Sequence, residues 1–302
     1  MRTYEECLPC FRRQAHSQLA MMQVDEATTA AVMAAVEQQL EQLDYHLSPP
    51  AMAREIHRLI RRLCNVADPY AAQKRRYQQL ALALLPQLRQ QVASAANPLL
   101  AAVKLAIAGN SIDMGVYHEL TEQQALDAIG QALEQPLHGD IDAFATAIQQ
   151  AQSILYLGDN AGEVVLDTLL LRLLPPGRVT FAVRGAAIIN DALRADAVEA
   201  GIDKLATLID NGNDAPGTIL EQCSAEFCRC FAAADLIIAK GQGNYETLSD
   251  HDANIYFLLK AKCPVVAGNI GCAIGTSLLL HRHKFCDLNH KPDPIAKEQA
   301  TP

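Results

Sequence analysis

The stretch that most constrains the fold is residues 153–171, in which an apolar run gives way to a polar turn and then to a helical pattern. The run 154–157 ends at Gly158, and Asp159 and Asn160 follow directly. This order predicts a buried strand, a tight turn and a helix. In open α/β sheets, ligands bind at the carboxyl ends of the strands, so the turn is a candidate site.

The turn has suitable groups for two kinds of ligand. The free N–H groups at the start of the helix attract anions. The carboxylate of Asp159 and the carboxamide of Asn160 supply oxygen ligands for a hard cation. The ordinary alternative is a strand–helix turn that one of these side chains merely caps.

After residue 153, apolar runs of strand length alternate with helical segments, which predicts a mostly parallel sheet with helices on both faces. The predicted strands are 154–157, 179–183, 205–209, 235–239 and 264–267, with 255–259 as a further candidate. Residues 1–150 instead show helical patterns throughout, interrupted by prolines. We therefore divide the chain into a helical domain, 1–150, and an α/β domain, 151–302.

Composition excludes several classes of protein. A net charge of −9 gives no electrostatic support for nucleic-acid binding. No apolar run reaches the length of a membrane span, so no membrane partner is expected. Nine cysteines behind a charged, non-signal start indicate reduced thiols in the cytoplasm. The sequence gives no indication of the oligomeric state.

The pair Cys7 and Cys10 forms a C-x-x-C motif near the start of the chain. Such a pair can bind a metal or act in redox chemistry, but a tetrahedral zinc site needs two more ligands. Cys64 is a candidate third thiolate, and His16 or His57 a candidate fourth ligand. Buried, unreactive thiols are the alternative.

Polar residues follow each predicted strand, and in a parallel sheet all these strand ends lie on one edge. They include Asp159 and Asn160, Arg184 through Asp191, residues 210–214, Lys240 through Glu246, and Gly268 with Asn269. Acids and amides suit a divalent cation, lysine neutralises phosphate as a point charge, and glycines let backbone N–H groups approach an anion. Two simpler interpretations stay open: Asn190 and Asp191 as a helix cap, and Lys240 as a solvated turn residue.

A further polar segment, from Asn110 to Asp113, interrupts the helical region between glycines. It is either a helix end followed by a turn or a loop that faces the active site, and we favour the loop.

These motifs resemble those of the metal-dependent damage-control phosphatases, formerly domain of unknown function 89, over nearly the whole chain from Cys7 to about Leu279. The N-terminal C-x-x-C and the segment ending at Asp113 are similar to the archaeal and bacterial branch. The motifs that carry the resemblance are Gly158 to Glu163, Arg184 to Ala192, Ala239 to Glu246, and Leu259 to Pro264.

The resemblance implies an N-terminal all-helical domain packed on an α/β/α three-layer domain. It implies that Asp159, Asn160 and Asp191 hold a divalent cation, either Mn, Mg, Co or Ni. Lys240 would then meet the phosphate, and Asn110 and Asp113 would lie near the substrate.

The same motifs contain Glu163, Arg184 and Asn244, which we assign to the substrate and phosphate side of the site. The expected activity is hydrolysis of small phosphorylated metabolites, such as sugar phosphates, with Asp159 and Lys240 as catalytic residues. Two alternatives stay open: a methyltransferase using S-adenosylmethionine, and a non-enzymatic metal-binding or redox module built on Cys7 and Cys10.

Overall fold

The computed structural model describes residues 1–109 and 122–282, which form twelve α-helices and seven β-strands. The helices are α1 (Leu8–Met21), α2 (Glu26–Glu41), α3 (Pro49–Cys64), α4 (Ala71–Ser94), α5 (Pro98–Gly109), α6 (Glu122–Glu134), α7 (Ile141–Gln150), α8 (Glu163–Leu171), α9 (Arg194–Glu199), α10 (Ala225–Ala233), α11 (Gly241–Leu248) and α12 (Pro264–Ile270). The strands are β1 (Leu137–Gly139), β2 (Ile154–Leu157), β3 (Val179–Val183), β4 (Thr207–Asp210), β5 (Leu236–Lys240), β6 (Ile255–Lys260) and β7 (Ser277–His281).

All seven strands belong to one sheet, in the order β1-β7-β6-β5-β2-β3-β4. Every neighbouring pair is parallel except β6 and β7, so the expected mostly parallel sheet is confirmed. The chain winds outward from β2 to β4 and then returns to place β5 on the other side of β2. The winding direction therefore reverses between β2 and β5, the position at which doubly wound sheets form a crevice.

Both faces of the sheet are buried, and β2 shows how its residues divide between them. Ile154 and Tyr156 pack into the core under α4 to α9, whereas Leu155 and Leu157 pack into the core under α10 to α12. Successive side chains on a strand point to opposite faces, so a fully apolar run is needed where helices cover both. The result is the expected three-layer α/β/α arrangement.

The first half of the chain divides into two parts by its packing. Helices α1 to α3 enclose a small core of their own. Helices α4 to α6 instead contribute to the same core as the sheet, and α5 packs against α8. Helix α3 is tied to the loop after β4, since Arg58 and Arg61 both pair with Asp214.

One strand prediction and one helix prediction need correction. Residues 264–267 form the start of α12, because Pro264 occupies a first-turn position and the Cys263 side chain accepts from the N–H of Val266. The first 150 residues are not purely helical, since β1 (Leu137–Gly139) pairs with β7. Three residues are too short to show strand periodicity, and β7 itself was not predicted.

Among the described residues, no helix is both long enough and apolar enough to cross a membrane.

Candidate active site

The candidate site lies at the carboxyl ends of β2 and β5, where the winding of the sheet reverses. Asp159 and Asn160 follow β2 after one glycine, and Lys240 is the last residue of β5. The parallel register pairs Leu157 with Ala239, so these polar residues emerge side by side. The sheet topology therefore brings together two motifs that are about 80 residues apart in the sequence.

The backbone also fixes Asp191 beside this turn. Asn160 and Asp191 form an antiparallel bridge beyond the ends of β2 and β3. The N–H of Ala192 donates to the carbonyl oxygen of Asp159 at 2.8 Å. The two carboxylates and the carboxamide expected to act together thus lie on adjoining, hydrogen-bonded segments.

Hydrogen bonds orient the carboxamide of Asn160. Its Nδ2 donates to Oδ2 of Asp159 at 3.0 Å and to Oε2 of Glu163 at 3.1 Å. Both amide hydrogens are committed to carboxylates, which leaves the carbonyl oxygen as the atom that can face a cation.

The guanidinium of Arg184 contacts both aspartates. Its Nε donates to Oδ2 of Asp191 at 2.7 Å, and its Nη2 lies 3.8 Å from Oδ1 of Asp159. Nη1 lies 3.4 Å from both Thr218 Oγ1 and Asn244 Oδ1. Nη2 is buried and has no hydrogen-bond acceptor among the described residues. A buried donor of this kind is costly unless a ligand or water accepts from it.

Lys240 is placed differently from the sequence-based expectation. Its side chain is fully buried, and Nζ donates to Glu163 Oε1 at 2.5 Å, Asp167 Oδ1 at 2.7 Å and the carbonyl oxygen of Ala106 at 2.8 Å. Burial lowers the pKa of Lys240, but the carboxylates of Asp167 and Glu163 outweigh this and raise it. The ammonium is therefore charged and does not reach an open edge.

Asp167 and Tyr156 are members of this cluster that the sequence analysis missed. The hydroxyl of Tyr156 donates to Asp167 Oδ1 at 2.8 Å, and both side chains are fully buried. The sequence contained a signal for this cluster. Glu163 and Asp167 are four residues apart on the mostly apolar helix α8, so they share one face. Two acids on such a face require a buried cation.

Glu163 and Asn244, which were assigned to the substrate, are also buried and held by protein groups. Both oxygens of Glu163 accept hydrogen bonds, from Lys240 and from Asn160. Asn244 accepts from Thr218 at 2.8 Å and donates to the carbonyl oxygen of Lys240 at 2.7 Å. Through these contacts, Glu163 and Asn244 position other residues of the site.

The site is strongly anionic around Asp159. Burial raises the pKa of Asp159 well above its usual range, and the charges of Glu163 and Asp191 raise it further, against Arg184 and Lys262. Excess negative charge on oxygen ligands is the condition that a hard divalent cation relieves. The donors of Asp159, Asn160 and Asp191 therefore fit such an ion.

Helix α11 begins at this point. Gly241 has φ +78° and lies against the carboxylate of Asp159 so closely that a β carbon would overlap Oδ2. The N–H groups of the first helical turn have no acceptor within the helix. This end of the helix lies beside Asp159 and attracts anions.

The simpler interpretations of these motifs do not hold. Helix α8 has Gly162 as its N-cap, with no side-chain cap. Helix α9 has Leu193 as its N-cap, so Asn190 and Asp191 do not cap a helix. Lys240 is not solvated. Asn110 and Asp113 lie outside the described residues.

The candidate ligands named for a second metal site do not gather around the cysteine pair. In the described part of the chain, no group of three or more His, Cys, Asp or Glu side chains is arranged to hold a metal. Cys7 and Cys10 line a cavity beside the Pro49 end of α3, whereas Cys64 ends that helix, roughly 22 Å away at 1.5 Å per residue. The third thiol in the cavity is Cys263.

The two histidines offered as fourth ligands do not join the pair. His57 is buried in the core of the first three helices, where Nδ1 contacts Gln18 Oε1 at 2.5 Å. Neither His16 nor His57 lines the cysteine cavity.

Comparison with known proteins identifies the family of the chain. Residues 3–278 match the family described as the damage-control phosphatase ARMT1-like domain. The chain is 33% identical to the damage-control phosphatase PH1575 of Pyrococcus horikoshii, over 94% of this chain and 99% of that protein. It is 38% identical to a damage-control phosphatase of Archaeoglobus fulgidus, over 74% of this chain and 79% of that protein.

The fold is likewise similar to a solved structure. The crystal structure of PH1575, described as a DUF89 family protein, superposes with a TM-score of 0.87 at 30% identity, covering 93% of this chain and 99% of that one. An uncharacterised protein of Methanocaldococcus jannaschii is 34% identical over 92% of this chain and 94% of its own length. The chain therefore belongs to the damage-control phosphatase ARMT1-like family, and it is a phosphatase with a damage-control role.

Proposed function

We propose that this phosphatase hydrolyses small phosphorylated metabolites, such as sugar phosphates, with a divalent cation held by Asp159, Asn160 and Asp191. The supporting observation is the backbone bridge that fixes Asn160 beside Asp191, with the two carboxylates and the amide carbonyl on one edge. The ion would be Mn, Mg, Co or Ni, all of which accept oxygen ligands.

A bound divalent cation supplies Lewis-acid polarisation of a phosphoryl oxygen and orients the attacking group. The residues of the chain contribute the remaining steps. Nη2 of Arg184 donates to a phosphoryl oxygen, which gives this buried donor its acceptor. The first-turn N–H groups of α11 bind another oxygen and stabilise the charge that develops there.

We assign Lys240 a supporting role in this mechanism. Its ammonium fixes Glu163, and Glu163 in turn fixes the amide of Asn160. The carbonyl oxygen of Asn160 is thereby kept facing the cation. Asn110 and Asp113 stay predicted substrate neighbours.

Asp159 could act as a cation ligand or as the nucleophile that attacks phosphorus. Single-turnover hydrolysis in ¹⁸O-labelled water, followed by mass analysis of the protein, distinguishes the two. Label in the Asp159 carboxylate identifies a phospho-aspartate intermediate, and label in the released phosphate alone identifies attack by water.

The test of the cation site is Asp191→Asn, with Asp210→Asn as the matched control. Asp210 ends β4 on the same edge of the sheet and pairs with the exposed Arg194 at 3.8 Å. We expect Asp191→Asn to lower kcat/KM at least a hundredfold and to weaken Mn²⁺ binding by calorimetry, because the cation loses one of two anionic ligands. Equal activity and equal Mn²⁺ affinity in both variants would exclude Asp191 as a ligand.

Two further points of the proposal concern location and alternatives. The eight cysteines of the described residues are all free thiols, which supports a reducing, cytoplasmic compartment. The family is one of phosphatases, so we set aside the methyltransferase and the non-enzymatic cysteine module.

A further inference from the structure

We call the proposed active site at the carboxyl ends of β2 and β5 the catalytic edge. Beside it lies a cavity of about 380 Å³, between the start of α1, the start of α3 and the first turn of α11. Cys7, Cys10 and Phe11 form one wall, and Gln242, Gly243 and Glu246 form the opposite one. Its volume is within the range of small-molecule sites.

The cavity adjoins the catalytic edge on two sides. Ile189, which lines it, directly precedes Asn190 and Asp191. Gln242 and Gly243 directly follow Gly241, whose backbone lies against Asp159. A phosphate bound to a cation at Asp159 and Asp191 would therefore have its ester-linked group next to this cavity.

Another cavity also borders the edge, but it is too small for a metabolite. It lies between α4 and α8, beside Asn160 and Glu163, and holds about 30 Å³. That is about the space of one water molecule. Of these two cavities, the larger is therefore the one that can receive the remainder of a substrate.

The walls of the larger cavity offer hydrogen-bond acceptors. Oε1 of Gln14 is buried and has no donor among the described residues, while Nε2 of the same side chain contacts Cys10 Sγ at 3.7 Å. Across the cavity, the buried carboxyl of Glu246 accepts from Gln242 at 3.0 Å through one oxygen. The buried Oε1 of Gln14 requires a donor, and the second carboxyl oxygen of Glu246 can accept another hydrogen bond, so a ligand with donors on both sides fits.

Charge at the cavity mouth does not select an ion of either sign. Glu6 and Arg13, of opposite charge, are the exposed charged residues of its lining. Part of the lining is apolar and includes Phe11, Pro50 and Val265. A ring or chain with apolar carbon–hydrogen faces and outward hydroxyl groups matches these surfaces.

We propose that this cavity binds the leaving group of the phosphoester, and that this group is neutral and rich in hydroxyls, with Gln14 and Glu246 accepting its hydrogen bonds. The inference rests on the proposed phosphatase site. It makes Gln14 and Glu246 specificity-determining residues of that site.

The test compares two substrates, glucose 6-phosphate and p-nitrophenyl phosphate, whose leaving group is ring-sized but carries no hydroxyls. We expect Gln14→Leu and Glu246→Gln each to lower the ratio of kcat/KM for the sugar phosphate over the aryl phosphate by about tenfold. The change should come from a higher KM for the sugar phosphate. A tenfold change is the size expected for the loss of one hydrogen bond. The exposed Gln38→Leu is the control and should leave the ratio unchanged.

Each outcome is informative. A ratio unchanged in both cavity variants, or an equal fall for both substrates, overturns the inference while the phosphatase proposal stands. A wild-type protein inactive on both substrates with Mn²⁺ overturns the proposed function itself. One equivalent of zinc that is lost in Cys7→Ala, with no change of ratio in Gln14→Leu, assigns the cavity to a metal and overturns the inference.

Discussion

The backbone of Gly241 and the carboxylate of Asp159 are in contact, with no space for a side chain between them. This contact brings the start of α11 to the residue that follows β2. In the proposed active site, a helix end and a carboxylate are therefore in direct contact.

We expect Gly241→Ala to abolish activity, because the added methyl group displaces the Asp159 carboxylate. Gly177→Ala is the matched control, since Gly177 has nearly the same φ, +76°, and open space around it. The control should cost only the left-handed backbone strain, about 1–2 kcal/mol of unfolding free energy, and keep full kcat/KM. Similar losses of kcat/KM in both variants would show that the contact with Asp159 has no catalytic consequence.

Replacing Lys240 by methionine should destabilise the fold strongly. It leaves Glu163 and Asp167 buried without their cation, a change that costs about 3–5 kcal/mol. Adding Asp167→Asn removes one of the two orphaned charges and should recover part of this loss. Guanidinium unfolding of the two single variants and the double variant measures the coupling, and additive effects would contradict the ion cluster.

Tyr156→Phe removes a hydrogen bond to the charged acceptor Asp167, so we expect a loss of about 1.5–3 kcal/mol. Tyr245→Phe provides the comparison, because its hydroxyl donates at 2.6 Å to the neutral amide of Asn269 and should cost about 0.5–1.5 kcal/mol. Urea denaturation at pH 7 measures both. A smaller loss for Tyr156→Phe than for Tyr245→Phe would mean that Asp167 is uncharged in the folded protein.

Glu246 should make stability fall as pH rises. Burial raises the pKa of Glu246 from 4.5 to about 7, against the hydrogen bond from Gln242 and the α-amino group of Met1. Between these values the folded chain holds the proton more tightly than the unfolded chain. The stabilisation of the folded chain by this proton is therefore complete below pH 4.5 and lost by about pH 7.

The measurement is the free energy of unfolding of Glu246→Gln minus that of wild type, from pH 4.5 to 8. It should grow by up to about 3 kcal/mol, since each unit of pKa shift corresponds to about 1.4 kcal/mol. Taking the difference at each pH removes the contribution of His57, whose pKa burial lowers to about 4. The exposed Glu41→Gln is the control, and a flat difference would place Glu246 in contact with water.

Sequence periodicity predicted the regular elements where burial was complete. The runs 154–157 and 179–183 coincide with β2 and β3, because strands covered on both faces are mostly apolar; Thr180 in β3 is polar and half-buried. The same reasoning misplaced 264–267, since a short apolar run fits a buried helix equally well and the proline was the decisive signal. Parallel strand ends also predicted that Asp159 and Asp191 lie together.

The sequence could not show where the ammonium of Lys240 points. A lysine at the end of a strand is equally compatible with an open edge and with a buried pair, and the choice depends on α8. Only the folded arrangement reveals that Glu163 and Asp167 face β5 from across the core. The contact between Gly241 and Asp159 could not be predicted from the sequence either, because a glycine does not indicate which residue lies against it.

The shared core of α4 to α6 and the sheet has a consequence for how such a chain can be recombined. Nζ of Lys240 donates to the carbonyl oxygen of Ala106, so a helix of the first half is one wall of the catalytic edge. A chimaera joined to a relative at residue 150 would separate β1 from β7 and α5 from Lys240. A crossover near residue 65, between the core of α1 to α3 and the rest, would leave both pairings intact. A crossover at that boundary still cuts the ion pairs of Arg58 and Arg61 with Asp214. Exchange of modules within the family should therefore disturb the proposed site less at that boundary than at residue 150.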